Sequence, residues 1–354
     1  MNDHLEPYIT QGEPEKQERS YVWHTAIGLQ KVDGLEPSEY LIKTANQNIN
    51  GDITLDEAQQ LIEGYYKARP AQPDESRTEE ADKVSARIAA ILAEKTFSFS
   101  PVEYIAIHRR LFEGIYKFAG KIRDWNISKS EWVLDGATVY YASAGSIRDT
   151  LDYDFSQEKA FVYKGLSLRQ TAEHIAKFIS GLWQIHAFGE GNTRTTAVFA
   201  IKYLRTFGFD VTNDIFAANA WYFRNALVRA NYNDLGRGVH ATREHLDRFF
   251  GNLLLGEKNE LKNRALRITV TADVPVNVPQ NVPVKLTSNQ ERILGILKEN
   301  GDVTAVQMAE QLGVTDKTVK RGLSALKEAG LIRRVGSDKT GHWEMMNERG
   351  AEDE

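Results

Sequence analysis

Apolar and polar positions alternate with a helical period over most of the first two thirds of the chain. Val84, Ile88, Ile91 and Leu92 recur at the three-and-four spacing of a helix that buries one face, and Tyr104, Ile107, His108 and Leu111 repeat the pattern. Ile175, Ile179, Leu182 and Trp183 predict a helix ending near Ile185, and Val198, Ile201 and Leu204 a second one after it. Thr54 followed by Glu57 has the spacing of a capping box, which opens a helix running through Tyr66. The period breaks over residues 122–142. There Ile122, Trp125, Ile127, Trp132, Val133, Val139 and Tyr140 flank the turn Leu134-Asp135-Gly136-Ala137. Aromatic and β-branched residues around Asp-Gly predict a short β-hairpin at 127–140, inserted into a mainly α fold.

Composition shifts set the expected domain limits. Residues 1–20 are polar and acidic, with Glu13, Glu15 and Glu18, and read as a disordered tail. A helical region over 21–94 should pack on a helical core at 95–258. Prolines 275, 279 and 283 recur every four residues, which forbids helix and makes 259–286 read as an extended linker, with an edge strand of the Val-rich stretch as the alternative. A small domain at 287–346 and a tail at 347–354 complete the chain. Of its 354 residues none is Cys, so disulfides, thiolate metal sites and cysteine nucleophiles are excluded and a reducing, cytoplasmic setting is favoured. No secretory signal and no membrane-spanning apolar run are evident. The net charge of -5 argues against the whole surface binding nucleic acid, while leaving one domain free to do so.

Candidate chemistry concentrates at His186-Ala187-Phe188-Gly189-Glu190-Gly191-Asn192-Thr193-Arg194, between two predicted helices. A helix entrance at Thr193 to Thr195 offers unpaired N–H groups and the positive end of a dipole to an anion. Gly191 lets the backbone approach a phosphate, and Asn192 can donate a side-chain amide. Glu190 is the kind of oxygen ligand Mg²⁺ takes together with substrate phosphates. Arg194 offers a planar fork for phosphate oxygens, and His186 titrates near neutrality and can take a proton from an attacking hydroxyl. Phe188 should point into the core. Each feature alone is commonly structural: a helix-end His is usually a cap, and Gly-Glu-Gly-Asn a turn.

Taken in register, His186, Phe188, Glu190, Gly191, Asn192 and Arg194 resemble the Fic family motif HxFx(D/E)GNGRxxR. The resemblance implies a protein adenylyltransferase that moves AMP from ATP to a Ser, Thr or Tyr hydroxyl of a target protein. By family role His186 is the base, Glu190 the Mg²⁺ ligand, and Gly191, Asn192, Thr193 and Arg194 the phosphate site. Asn219, Tyr222, Asn225 and Tyr232 lie where the family holds the nucleotide base. The 127–140 hairpin would be the flap on which the target protein docks by strand addition. Two positions depart from the pattern: Thr193 replaces the second Gly of GNG, and Ala197 replaces the final Arg, which grips the γ-phosphate. Many members carry an inhibitory helix, (S/T)xxxE(G/N), whose Glu pairs with that Arg. Its nearest match here, Asn46 to Gly51, has Asn50 in place of the Glu. Glu63-Gly64 is a rival with Gln59 where Ser or Thr belongs. Lock and clamp are thus both missing. This leaves open transfer of a different phosphate-linked group, or a weakly active ligand sensor for a transcriptional regulator.

The C-terminal pattern is independent. Ile293, Leu294 and Leu297 fit one helix, Thr304 opens a second through Met308 and Leu312, and Thr315 caps a third with Val319, Leu323 and Leu326. Leu331 to Val335 and His342 to Met345 flank a Gly-rich turn. The whole resembles a winged helix-turn-helix domain, implying DNA as a partner of residues 287–346. Asp316, Lys317, Lys320 and Arg321 would face the major groove, with Arg333, Arg334 and Lys339 near phosphates. Docking to a protein, or pairing into a homodimer, is the alternative use of such a domain. His108, His174 and His240 have no metal-ligand spacing and read as structural.

Overall fold

A computed structural model describes residues 14–68, 76–209, 211, 214–268, 288–301, 303–328, 332–335 and 342–345. The chain divides into two compact units, Met1–Ala272 and Asp273–Glu354. Among the described residues the first is mainly helical: α1 (Pro14–Gly28), α2 (Glu39–Asn50), α3 (Leu55–Lys67), α4 (Ser76–Ala93), α5 (Pro101–Phe112), α6 (Ile147–Ala160), α7 (Leu168–Ile185), α8 (Asn192–Thr206), α9 (Ile215–Ala230) and α10 (Glu244–Leu255). The apolar stripes read from the sequence are the buried faces of α4, α5, α7 and α8. Burial at 0–2% exposure along these stripes is the main force assembling the unit. The Thr54–Glu57 capping box is present, with Glu57 N–H donating to Thr54 Oγ1 at 3.2 Å and Thr54 N–H to Glu57 Oε2 at 2.7 Å.

α8 runs through the middle of this unit, against α5, α7 and α4. A 3-10 turn, Leu29–Asp33, follows α1 and packs on both α8 and α9. This brings the N-terminal region to the motif. Pro14 already belongs to α1 and Ser20 is buried, so the tail expected over 1–20 has become helix from residue 14; residues 1–13 lie outside the described ones.

The expected hairpin at 127–140 does not form paired strands among the described residues. Trp132–Leu134 instead makes a 3-10 turn whose Val133 and Leu134 are fully buried. The Asp-Gly signal is nevertheless real: Asp135 and Gly136 both have positive φ (55° and 89°), and Glu131 N–H donates to Ala137 O at 3.0 Å. Burial of two consecutive residues departs from the in-and-out alternation of a half-exposed hairpin, and core packing overrides the local preference. Ile268 N–H donates to Val133 O at 2.9 Å and the 3-10 turn Asn263–Leu266 packs on α9, so residues expected to begin the linker at 259 belong to the first unit. Residues 269–287 lie outside the described ones.

The second unit has α11 (Ser288–Glu299), α12 (Ala305–Leu312), α13 (Asp316–Glu328) and the antiparallel pair β1 (Ile332–Val335) and β2 (His342–Met345), with Ile332 opposite Met345. It has its own core of Ile293, Leu297, Met308, Leu312, Val319, Leu323, Leu326 and Ile332. Thr304 and Gln307 form a capping box, and Gly313, at φ 68°, ends α12. Three helices and a β pair are the winged-helix arrangement. The wing tip with Lys339, and the side chains of Lys317, Arg333 and Arg334, lie outside what is described. Lys320 pairs with Asp316 at 2.8 Å on α13.

Candidate active site

α7 begins at a capping box, Ser167 with Gln170, and ends at His186, whose φ of 50° and ψ of 56° are left-handed. That conformation costs a non-glycine residue roughly 1–2 kcal/mol, so surrounding contacts must hold it. Arg123 supplies them. Its Nε donates to the His186 carbonyl at 2.7 Å, and its terminal nitrogens donate to the carbonyls of Trp125 (2.6 Å), Ala142 (2.5 Å) and Ile185 (3.3 Å). The His186 ring lies 4.1 Å from that of Tyr141 and edge-on to Trp183.

Among the described residues neither ring nitrogen of the buried His186 has a hydrogen-bond partner. Unpaired buried polar atoms are uncommon, and a catalytic role is one physical reason for keeping one. Burial, and after it the Lys129 ammonium and the guanidinium groups of Arg123 and Arg224, pushes its pKa well below the usual histidine value. The ring is therefore neutral at physiological pH, the form that accepts a proton.

Phe188 is fully buried, as expected, and stacks on His108 at 3.7 Å. His108 Nδ1 accepts from Gly120 N–H at 2.8 Å, which fixes the tautomer, so Nε2 donates to the Glu190 carbonyl at 3.0 Å. His108 is structural, but it braces the loop. His174 is likewise occupied, with Glu158 Oε2 at 2.8 Å.

Gly191 is the N-cap of α8 at φ 76°, and a Cβ there would fall 2.3 Å from Phe112 Cε2. Glycine is required by both backbone and space. The expected amide donor Asn192 is spent differently: its Nδ2 donates to Phe188 O at 2.8 Å and its Oδ1 accepts from Phe188 N–H at 3.0 Å, stapling the loop. Thr193 needs no unusual backbone, because α8 begins at Asn192, and its Oγ1 accepts from Trp183 Nε1 at 3.0 Å. The departure from Gly thus leaves the backbone path unchanged and ties α8 to α7.

Arg194 is only 1% exposed and does not present an open fork. NH2 donates to Glu80 Oε1 at 2.6 Å and NH1 to Gln30 Oε1 at 3.1 Å, while the guanidinium lies 4.8 Å from the Phe112 ring. Nε stands 2.8 Å from Asp33 Oδ2, an ion pair whose angle is too bent for a hydrogen bond. Ala197 is fully buried within the helical packing.

Glu190 is half exposed, and its Oε2 accepts from Lys129 Nζ at 2.7 Å. Both line a cleft of about 750 Å³ with Lys31, Asp33, Glu80, Tyr116, Arg194, Trp221 and Arg224 among its walls. A carboxylate facing open space, with an ammonium already standing in as its cation, fits a hard metal that takes few protein ligands. Among the described residues no group of three or more His, Asp or Glu gathers around a common point, so a metal here would lean on substrate phosphates. The expected base-holding residues do not face the cleft. Asn225 Nδ2 donates to Asn263 Oδ1 at 2.7 Å, and Tyr232 OH accepts from Arg237 at 2.8 Å. Asn219 sits at a kink in α9, with φ -126°, and Tyr222 is buried with its OH donating to the His245 carbonyl at 3.3 Å. Trp221 and Tyr116 are the aromatic residues on the cleft walls instead. Lys129, Trp221, Asp33 and Glu80 carry no motif signal in the sequence; the structure alone brings them together, with the Arg224 guanidinium 5.1 Å from the Trp221 ring.

Residues 98–204 match the Fic/DOC family and residues 286–333 the family of winged helix-turn-helix DNA-binding domains. Among solved structures, the chain is similar to the N-terminal Fic domain of the Bep8 VirB-translocated effector of Bartonella sp. 1-1C, at 19% identity and TM-score 0.42, over 53% of this chain and 88% of that one. It is similar also to the BepC effector of Bartonella tribocorum with bound AMPPNP, at 21% identity and TM-score 0.40, over 51% and 87%. A Fic family protein of Desulfovibrio desulfuricans G20 aligns over 99% of this chain and 92% of that one, at 13% identity and TM-score 0.41. A search of curated proteins returns no match. The chain thus carries a Fic/DOC domain, whose motif is the loop between α7 and α8, followed by a winged helix-turn-helix domain.

Proposed function

We propose that the Fic domain transfers AMP from ATP to a Ser, Thr or Tyr hydroxyl of a target protein, and that the winged helix binds DNA. The observation that carries the first part is the neutral, unpaired imidazole of His186, fixed by Arg123 at the end of α7 and four residues before Glu190. A target hydroxyl attacks the α-phosphorus while His186 takes its proton. The new O–P bond forms in line as the bond to pyrophosphate breaks. Backbone N–H groups of α8's first turn point at the phosphates, with Gly191 allowing close approach. Glu190 would hold magnesium, which would supply charge neutralisation at the phosphates. Trp221, in place of Asn225 and Tyr232, offers the base a flat apolar wall.

A second reading is favoured by the commitment of Arg194 to Asp33 and Glu80: a core that binds nucleotide but transfers slowly, signalling to the DNA-binding domain. ATP labelled at the α-phosphate, and separately at the γ-phosphate, distinguishes them in the purified protein with candidate targets. Transfer from α alone, falling 10²- to 10⁴-fold in His186→Ala as expected on loss of a general base, supports AMP transfer. Transfer from γ alone replaces it with phosphorylation. Binding without transfer from either label supports the sensor.

A further inference from the structure

We propose that Lys129 is an exchangeable phosphate ligand: its ammonium pairs with Glu190, moves to the nucleotide's phosphates when magnesium takes that carboxylate, and so supplies the charge absent at Ala197. This rests on the nucleotide-transfer reading above. Lys129 Nζ lies 2.7 Å from Glu190 Oε2, with the lysine side chain 21% exposed and the carboxylate 48%. Both face the same cleft as Arg194 and Arg224. These two arginines are committed elsewhere. Arg194 is held by Asp33, Glu80 and Gln30, and Arg224 binds Glu131 through both terminal nitrogens, at 2.6 and 3.1 Å. Withdrawing Arg224 would strand a carboxylate that is only 1% exposed, at high cost. Arg77, also on the cleft, is bonded to the Asp33 and Gly34 carbonyls.

Lys129 differs because the carboxylate it holds is the one a metal would claim. A divalent ion on Glu190 removes the lysine's attraction and repels its charge, while the phosphates bring a larger negative charge into the same space. The backbone need not follow, since Lys129 N–H is tied to Thr138 Oγ1 at 3.0 Å and the side chain alone can swing. A flexible stem with three donors suits that exchange better than a rigid guanidinium.

The test is the affinity of the full-length protein for a non-hydrolysable ATP analogue and for AMP, by calorimetry at saturating magnesium, in wild type, Lys129→Ala, Lys129→Arg and Lys31→Ala. Lys129→Ala should weaken the ATP analogue about tenfold or more while moving AMP less than about twofold, and Lys129→Arg should recover most of the loss. Equal or tighter analogue binding in Lys129→Ala overturns the proposal, since that is what removing a mere plug on Glu190 would produce. So does a loss seen in Lys31→Ala and not in Lys129→Ala. If the wild type shows no magnesium-dependent nucleotide binding, the transfer reading fails and takes this proposal with it. If the wild type binds and Lys129→Ala is unchanged, the lysine proposal alone fails.

Discussion

Two imidazoles beside Phe188, His186 two residues before it in the chain and His108 stacked on its ring at 3.7 Å, are kept neutral by burial, and for different ends. His186 has no partner for either nitrogen, whereas His108 is bonded at both. Burial pushes His108 down to about 4, with a smaller contribution from the Arg194 charge. Its folded-state pKa lies below the unfolded value, so the unfolded chain binds the extra proton first. Stability is complete above about pH 6.5 and is lost as pH falls towards 4. At 1.36 kcal/mol per unit, His108 alone accounts for about 3 kcal/mol over that interval. His186 acts in the same direction, while Asp82 and Glu131, raised by burial, act in the opposite one. Urea unfolding of wild type and His108→Gln at pH 7 and pH 4.5 measures the difference. The wild type should lose more stability on acidification than the variant, and equal losses would contradict the assignment. At this same scale Arg194 was legible as a charged motif residue but not as a buried one. Its neutralisation by Asp33 and Glu80, more than 100 residues away, has no local signature.

At the scale of elements, the motif works because two helices end and begin at opposite sides of a six-residue loop, 186–191. Left-handed residues terminate the path on each side, His186 and Gly191, and at Gly191 an added Cβ would also collide with the Phe112 ring. In Gly191→Ala the new methyl meets the Phe112 ring and the backbone sits at φ 76°. We expect a loss of at least about 1–2 kcal/mol in stability from the backbone alone, with weakened nucleotide binding beyond it. An unchanged melting temperature together with unchanged nucleotide affinity would count against the close-approach role. Helix periodicity made α4, α5, α7 and α8 readable in advance, because burying one face of a helix leaves a mark every three or four residues. The segment 127–140 misled for the opposite reason. Its β-branched and aromatic residues favour strands in general, yet Val133 and Leu134 are drawn together into the core and Ile268 pairs with the bend between them.

At the scale of the whole molecule, one chain carries two separate cores. The first holds the motif, and its N-terminal turn Leu29–Asp33 contributes Lys31 and Asp33 to the cleft wall. No helix among the described residues is long and apolar enough to cross a membrane. The second unit has a complete small core of its own, so a fragment from Leu286 onward should fold and can be tested alone. Duplex DNA should shift both the fragment and the full chain at low salt, with affinity falling at a log–log slope of about -3 for three phosphate contacts. Absence of any shift at low salt, or a slope near zero, would leave the domain a protein-docking module.

The sequence by itself determined the helical character of the first unit, the motif from His186 to Arg194, the loss of the final arginine at Ala197 and the three-helix order of the C-terminal unit. All of these are written in contiguous residues or in a short period, where local spacing is enough. Tertiary structure alone decided the electrostatics of the site. Which cation sits on Glu190, which acids hold Arg194, why Asn192 is unavailable and which aromatic faces the cleft are settled by residues distant along the chain that meet only when the core closes. Charge interactions depend on distance and burial, and neither is a property of the order of residues.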